Sequence, residues 1–538
     1  MGEELDHRED RRYTRRRTGS AVNQPTRIEW GWLLAGGVLA LCLVARDWSF
    51  RGLGVTELLL LPVLAVLCLW PGLRWYQRGM KWIPLGESFA GMHLIFYVLP
   101  CLDGRPDWLG FSPELRAKTL LAVGAFLLVF VLIYEWLLRP TPGSVKHSTF
   151  FLRESNPSAF WLLFCLWLGW SVMVQTGWLP GLGSLLNVFR SVITAAASIA
   201  IVNLFFRLGR GWLSGGDVAL VLGGLLIGLV ISFASGFLIT GGLLMMAALM
   251  AYTLGRKRLP VLALLSCALV LAFLNLGKVE YRDTYWAEGK NYSEQHVGLV
   301  EGFSTWFQAS WHGLTHGTTG GDNASSRELL YRASLVQVLA TAMQTVPGQK
   351  SFLNGETYLM LPELLTPRIF WPEKPRGTIP TETMGIYIGI QSEQNADYTG
   401  VSVGPLAEGW LNFGWIGVVG AGAFFAVFFG LPARLSRDLT PIQVGWLLAS
   451  VFLVYSTDTS HSIPELIASL VQALLMGALV MFFVSSEKVV AAPSRRRQRQ
   501  RQLLRTQNEA VANGHAQDGN ASLVEPAQQH VHQNASGN

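Results

Sequence analysis

The stretch "TLLAVGAFLLVFVLIYEWLL", residues 119–138, decides the class of fold. Glu135 is its one charged residue, and apolar side chains occupy nearly every other position. A helix that crosses a hydrocarbon core about 30 Å thick needs about 20 predominantly apolar residues. An amphipathic surface helix would instead confine its apolar residues to one stripe. The stretch therefore predicts a transmembrane helix.

The rest of the chain repeats this pattern. Half of the 538 residues are hydrophobic and only 14% are charged, whereas soluble domains carry about 25% charged residues. The sequence predicts an all-α polytopic membrane protein with about 12 transmembrane helices. The predicted spans lie near 29–45, 55–71, 86–102, 119–138, 158–177, 184–206, 217–233, 237–254, 259–277, 409–431, 442–456 and 465–485.

Lysine and arginine counts predict the orientation of these spans. If the N-terminus is cytosolic, the short inner loops carry 13 Lys and Arg residues and the short outer loops carry 5, as the positive-inside rule requires. Both termini are then cytosolic. The predicted organisation is a basic cytosolic tail, nine spans, one large extracytoplasmic loop, three spans and a disordered cytosolic tail, at 1–28, 29–277, 278–408, 409–485 and 486–538.

The large outer loop carries its own structural signals. Residues 322–350 read as an amphipathic helix, with a capping box at Ser325 and Glu328 and an end at Pro347-Gly348. One face of this helix would present Leu329, Val336, Leu339, Met343 and Val346. Four prolines in residues 355–375 exclude a continuous helix there. We expect that segment to be re-entrant or to lie along the membrane surface.

Cations accompany these prolines. Arg368, Lys374 and Arg376 would lie at the outer surface, beside Trp371 at headgroup depth. Phosphate oxygens are suitable partners for them, because arginine binds phosphate with two parallel hydrogen bonds. The simpler alternative is that these cations only extend towards lipid headgroups.

The entrance to the tenth predicted span carries polar residues. Glu408 is expected at the membrane boundary and Asn412 just inside it, among glycines at 404, 409, 414 and 417 that permit close helix packing. A carboxylate in this position is costly unless it is paired or functional. Alternatively, Glu408 could simply stabilise a helix N-terminus.

Four motifs in order resemble the bacterial oligosaccharide repeat-unit polymerases, the Wzy-type O-antigen polymerases. They are Arg332 in an outer helix, "GETY" (355–358), "PRIFWPEKP" (367–375) and "EGWLNFGWIG" (408–417). They span roughly 330–420, under a fifth of the chain. Many relatives also carry an arginine in a middle span, where residues 231–242 have none. Arg190 is the candidate for that intramembrane charge.

The resemblance implies an enzyme at the outer face of the bacterial inner membrane. A glycan carried on polyprenyl diphosphate would be transferred to a hydroxyl of another lipid-linked repeat unit, without a metal or another cofactor. The implied diphosphate-binding residues are Arg332, Arg368 and Lys374, with Arg282 and Arg376 as weaker candidates. Glu408 is the candidate base and Glu363 the second choice. Trp371 and Trp410 could stack on sugars, and Asn412 belongs to the binding motif.

Other interpretations remain open from sequence. A lipid-linked oligosaccharide flippase would be expected to spread charge through many spans and to show internal repeats, and an O-antigen ligase-type transferase would differ mainly in its acceptor. Asp458, His461 and Glu465 could complete the site, or Ser462 or His461 could cap the final helix. Expected partners are the bilayer, the lipid-linked substrate, a chain-length regulator and a flippase. The charge pattern suits an anionic leaflet and not nucleic acid.

Overall fold

Apolar helices dominate the structure. The computed structural model describes residues 52–102, 106–139, 148–175, 183–234, 238–285, 299–316, 334–366, 371, 373–396, 401–437 and 439–486. Within these ranges, eight helices are long and apolar enough to cross a membrane. The chain is therefore an all-α membrane protein, and the finer count of twelve spans stays a prediction.

Fifteen helices of eight or more residues occur in the described ranges. They are α1 Val55–Gln77, α2 Leu85–Leu102, α3 Pro113–Leu137, α4 Pro157–Gln175, α5 Gly183–Arg210, α6 Gly215–Ala234, α7 Leu238–Arg256, α8 Val261–Leu276, α9 Lys278–Tyr285, α10 Leu299–His316, α11 Leu335–Thr345, α12 Ile379–Tyr387, α13 Gly404–Arg437, α14 Val444–Ser456 and α15 Ile463–Val484. Single-turn helices lie at Pro106–Leu109, Glu356–Leu359, Leu361–Leu365 and Glu393–Ala396.

Each predicted span that falls on described residues overlaps one of these helices. The apolar stretch 217–254 forms two helices, α6 and α7, as its length predicted. The span predicted at 29–45 lies outside the described residues. Within the described ranges, a two-residue antiparallel pairing of β1 (Glu154–Ser155) with β2 (Ser485–Ser486) adds to the all-α picture.

Aromatic side chains fill the interface between α2, α3 and α13. The Phe89 ring lies 4.7 Å from the Phe425 ring and 5.2 Å from the Phe130 ring, measured between centroids. Gly422 permits this packing, because a Cβ there would lie 2.6 Å from the Phe126 carbonyl oxygen. The quoted stretch 119–138 therefore lies in the centre of the helix bundle.

The two ends of the bundle differ in chemistry. One end, here called the loop end, carries residues 334–366, 371 and 373–396 and the beginning of α13. The other, the basic end, carries the cations at the termini of α1, α5, α7 and α13. Three contacts tie the basic end together: Arg78 pairs with Glu135 at 2.6 Å, Arg437 donates to the Leu138 carbonyl, and Lys257 donates to the Met80 carbonyl.

Large apolar side chains cover the outer surface of the long helices. Leu59 on α1 is 69% exposed, Leu262 on α8 is 82% exposed and Phe483 on α15 is 77% exposed. In water such surface would drive association, whereas the hydrocarbon core of a bilayer accommodates it. The exposed apolar surface therefore agrees with a membrane location.

Candidate functional site

A buried, hydrogen-bonded polar site lies where α13 begins, at the loop end. The predicted span 409–431 is wrong in one respect, because it is not a single helix. Phe413 and Gly414 leave helical geometry, and Gly414 adopts φ 58° and ψ −133°. A residue with a side chain is strained at that φ, so glycine is suited to the position.

This break reverses the chain. Gly409 and Gly417 lie eight positions apart, yet a Cβ at Gly417 would lie 1.9 Å from the Gly409 carbonyl oxygen. In a straight helix those residues would be about 12 Å apart along the axis. Residues 404–412 are therefore a half-helix that folds back on the long part of α13. The glycines were predicted to permit close packing between separate helices. Here Gly409 and Gly417 permit close packing between the two parts of α13.

The half-helix carries a buried hydrogen-bond network centred on Glu408. The side chains of Glu408, Asn412 and Thr357 are fully buried. Thr357 Oγ1 donates to Glu408 Oε1 at 2.9 Å and accepts from Asn412 Nδ2 at 2.9 Å. The Gly355 N–H donates to Asn412 Oδ1 at 2.9 Å. The network thus fastens residues 355–357 to the half-helix.

Glu408 also joins a third segment. The backbone N–H of Ile463, the first residue of α15, donates to Glu408 Oε2 at 2.6 Å. A carboxylate is stabilised there by the free N–H groups and the positive end of the helix dipole. Both carboxylate oxygens are therefore occupied, and the side chain has no contact with solvent. In this arrangement Glu408 positions three segments.

A partly buried polar cluster lies beside that contact. His461 Nδ1 lies 2.5 Å from Asp458 Oδ2, and His461 Nε2 lies 3.4 Å from Glu465 Oε1. Glu465 Oε2 accepts from Thr381 Oγ1 at 3.0 Å, which ties α12 to α15. Ser462 caps α15 by accepting from the Glu465 N–H, so the capping prediction is confirmed for Ser462.

The neighbouring carboxylates change the charge state of this cluster. Burial opposes charge on the imidazole, but the hydrogen bond and charge of Asp458, with the charge of Glu465, raise the pKa of His461 to about 9. Burial likewise opposes ionisation of Asp458, yet its hydrogen bonds with His461 and Ser460 hold the pKa of that carboxyl below its usual value. At neutral pH the cluster therefore contains an imidazolium that pairs with the Asp458 carboxylate.

The predicted cations have different surroundings. Lys374 is buried, and its Nζ donates to the carbonyl oxygens of Leu364 and Thr366 at 2.6 and 2.8 Å. It therefore holds the end of the single-turn helix Leu361–Leu365. The Arg376 side chain is 51% exposed and lies 3.6 Å from the Glu382 carboxylate. Arg332 and Arg368 lie outside the described residues.

The remaining predicted residues are spread over the molecule. Glu363 is exposed on Leu361–Leu365, which packs against α15. Trp371 is 39% exposed, whereas Trp410 is buried and donates to the Val346 carbonyl at 3.0 Å. Trp410 therefore belongs to the packing between α11 and α13 and does not present a face for a sugar. Arg190 is exposed on α5, and Arg282 lies on α9.

The structure also identifies polar residues that sequence reasoning missed. Thr357 links Glu408 with Asn412, and Thr381 links Glu465 with α12. Neither threonine carries a local signal, because its partners lie more than 50 positions away in the sequence. The predicted face of α11 is confirmed from Val336 to Val346, where Val336, Leu339, Met343 and Val346 are buried.

Comparison with known proteins adds no relative. No protein-family model, curated protein or solved structure matches the chain. The site is therefore interpreted from its own geometry and chemistry.

Proposed function

We propose that this protein polymerises polyprenyl-diphosphate-linked oligosaccharide repeat units into a surface polysaccharide at the periplasmic face of the bacterial inner membrane. One observation carries the proposal. Two of the four motifs that resemble the repeat-unit polymerases meet in space: "GETY" is fastened to "EGWLNFG" by the Gly355–Asn412 and Thr357–Glu408 hydrogen bonds. The end of the outer helix α11 joins them as well, because the carbonyl of Val346, which precedes Pro347, accepts a hydrogen bond from the Trp410 indole N–H.

The chemistry needs a proton acceptor and groups that stabilise the leaving diphosphate. The bond between the sugar anomeric carbon and the diphosphate oxygen breaks, and the acceptor hydroxyl oxygen forms the new glycosidic bond. The hydroxyl proton passes to a base, and polyprenyl diphosphate leaves with the negative charge. Cations would stabilise that charge. The candidates are Arg376 at the loop end and, outside the described residues, Arg332 and Arg368.

Glu363 and Glu408, the two candidate bases, differ in burial, and this difference assigns them different roles. Glu363 is exposed, as a side chain that takes a proton from an acceptor hydroxyl must be, so we assign it as the base. Glu408 is enclosed and both of its oxygens accept hydrogen bonds, so we assign it as a positioning residue. It holds Glu356–Leu359, the turn that precedes the single-turn helix Leu361–Leu365, which carries Glu363. Lys374 has a comparable role, because it binds the carbonyl groups on either side of Leu365.

Synthesis from a defined substrate tests the proposal. Purified full-length protein in lipid nanodiscs would be incubated with a polyprenyl-diphosphate-linked repeat unit, and the products separated by length. We expect a ladder of products differing by one repeat unit. Translocation of the substrate in sealed vesicles without elongation would support a flippase instead. Transfer only to a different acceptor lipid would support a ligase.

A pair of variants tests the two carboxylate roles. Glu363→Gln should reduce the elongation rate by about a hundredfold or more, as loss of a general base does, and should leave the unfolding midpoint unchanged. Glu408→Gln should lower the unfolding midpoint and elongation together. Normal elongation by Glu363→Gln would overturn its assignment as the base.

A further inference from the structure

Three chain segments converge at the basic end. Lys257, just after α7, donates from Nζ to the carbonyl of Met80 in the turn between α1 and α2. The end of α7 lies against the end of α5, because a Cβ at Gly255 would lie 2.2 Å from the Phe206 carbonyl oxygen. This contact brings Arg210, the last residue of α5, to the same place. The turn 78–82 and the ends of two helices thus meet.

The backbone at this junction is unusual. Met80 has φ 52° and Lys257 has φ 59°, so two residues with side chains adopt the left-handed region. Such conformations are uncommon outside glycine and cluster at functional sites. Here the two residues are hydrogen-bonded to each other. The strained backbone holds the Lys257 ammonium close to the turn.

Three cations gather at this junction. Within the described part of the chain, Lys81, Arg210 and Lys257 form no ion pair. Arg210 lies 5.4 Å above the Phe206 ring. Burial, with the neighbouring charges of Arg210 and Lys81, lowers the pKa of Lys257 to about 8. A bound anion would relieve this repulsion.

Three described acids at this end have other partners. Glu135 pairs with Arg78 at 2.6 Å. Glu87 is buried and accepts from Trp82 and Tyr134. Asp217 accepts from Ser214 and lies near Arg207. None of these three carboxyl groups forms an ion pair with Lys81, Arg210 or Lys257, so an anionic ligand could supply their counter-charge.

The surface beside the cations suits an amphiphilic ligand. Leu259, Val261 and Leu262 follow Lys257 directly, and they are 51%, 58% and 82% exposed. A soluble anion would gain nothing from these side chains. A phospholipid would place its phosphate on the cations and its acyl chains along the exposed apolar residues of α8.

We propose that Lys81, Arg210 and Lys257 form a site for the phosphate of an anionic phospholipid headgroup. The site joins the ends of α5 and α7 to the turn between α1 and α2. A bound headgroup would lock these three segments together and stabilise the bundle. The site lies at the opposite end from the residues of the proposed polymerase reaction and does not depend on that function.

Lipid binding to the full-length protein tests the site. The protein would be studied in nanodiscs of phosphatidylcholine alone and of phosphatidylcholine mixed with phosphatidylglycerol, by native mass spectrometry and by thermal unfolding. We expect retained phosphatidylglycerol and a higher unfolding midpoint in the mixed discs. Each cation removed should weaken retention about fivefold. The variants are Lys81→Gln, Arg210→Gln and Lys257→Asn, because asparagine tolerates the left-handed backbone.

Controls separate this site from general attraction to the basic end. Arg258→Gln removes an exposed cation one residue from Lys257 and should leave retention unchanged. Equal losses for Arg258→Gln and Lys257→Asn would overturn the proposal. Inorganic phosphate added to phosphatidylcholine discs should not raise the midpoint, and an equal rise would show a site for free phosphate and not for lipid. Retention unaffected in all three site variants would also overturn it.

Discussion

Thr357 is the residue on which the buried network depends. Its hydroxyl donates to Glu408 and accepts from Asn412, so one oxygen satisfies two partners inside the protein. Buried polar groups that lose a partner cost about 1–3 kcal/mol each. The cost arises because neither the carboxylate nor the amide can reach water.

Substitution of Thr357 measures the strength of this network. Thr357→Val preserves the shape of the side chain and removes the hydroxyl, so it should lower the free energy of unfolding by about 1–3 kcal/mol. Thr357→Ser keeps the hydroxyl and serves as the matched control. Unfolding in a denaturing detergent titration provides the measurement. Equal stability of the two variants would contradict the network's role.

The raised pKa of His461 predicts how the stability of the protein depends on pH. Its pKa is raised from 6.5 to about 9 in the folded protein, so its charged form is favoured by folding. The stabilisation is therefore fully present below about pH 6.5 and is lost as pH rises through about 9. Thermal unfolding from pH 6 to 10 should show this decline.

The partner carboxylate provides the control for that pH dependence. Asp458→Asn removes the closest counter-charge of His461, which lies 2.5 Å away. The decline in stability above pH 6.5 should become shallower in this variant. His461→Gln should remove the same contribution. An unchanged profile in both variants would assign the decline to other groups.

At the scale of single elements, α13 is the most informative helix. Its half-helix and its long part meet at Gly409 and Gly417, and the turn between them requires the conformation of Gly414. Gly417→Ala should therefore push the half-helix away from the long part of α13. The expected loss in the free energy of unfolding is about 1–3 kcal/mol, the usual cost of overpacking.

The same helix provides the matched control. A Cβ at Gly420 would meet no atom within 4 Å, so Gly420→Ala should be neutral or slightly stabilising, since alanine favours helix. The unfolding midpoints of the two variants should differ clearly. Equal midpoints would mean that α13 does not fold back at Gly409 and Gly417.

The elements also show how far sequence patterns extend. Apolar length located the long helices, and the separation of α6 from α7 followed from length and from the cations at both ends. Prolines 362 and 367 limited Leu361–Leu365 to a single turn, as expected. The reversal in α13 was not predictable, because glycines at 409, 414 and 417 fit a straight packed helix equally well.

At the scale of the whole molecule, the asymmetry of charge predicts the orientation. The basic end should face the cytosol, since Lys and Arg are retained on that side, and the loop end should face outward. Glu373→Cys at the loop end should react with a membrane-impermeant maleimide in intact cells, whereas Arg258→Cys should react only after permeabilisation. A background without the exposed Cys165 is required. The reverse pattern of labelling would contradict both the orientation and the proposed periplasmic reaction.

Composition and the length of the apolar blocks were by themselves enough to determine an all-α membrane protein, because the thickness of the hydrocarbon core imposes one helix length on any sequence. They also indicated the loop and the beginning of α13 as the places where polar residues need an explanation. Only the tertiary structure decided that Glu408 is enclosed and Glu363 exposed. Burial depends on contacts such as Thr357–Glu408 and Ile463–Glu408, whose partners lie more than 50 positions apart, and no local pattern records such distances.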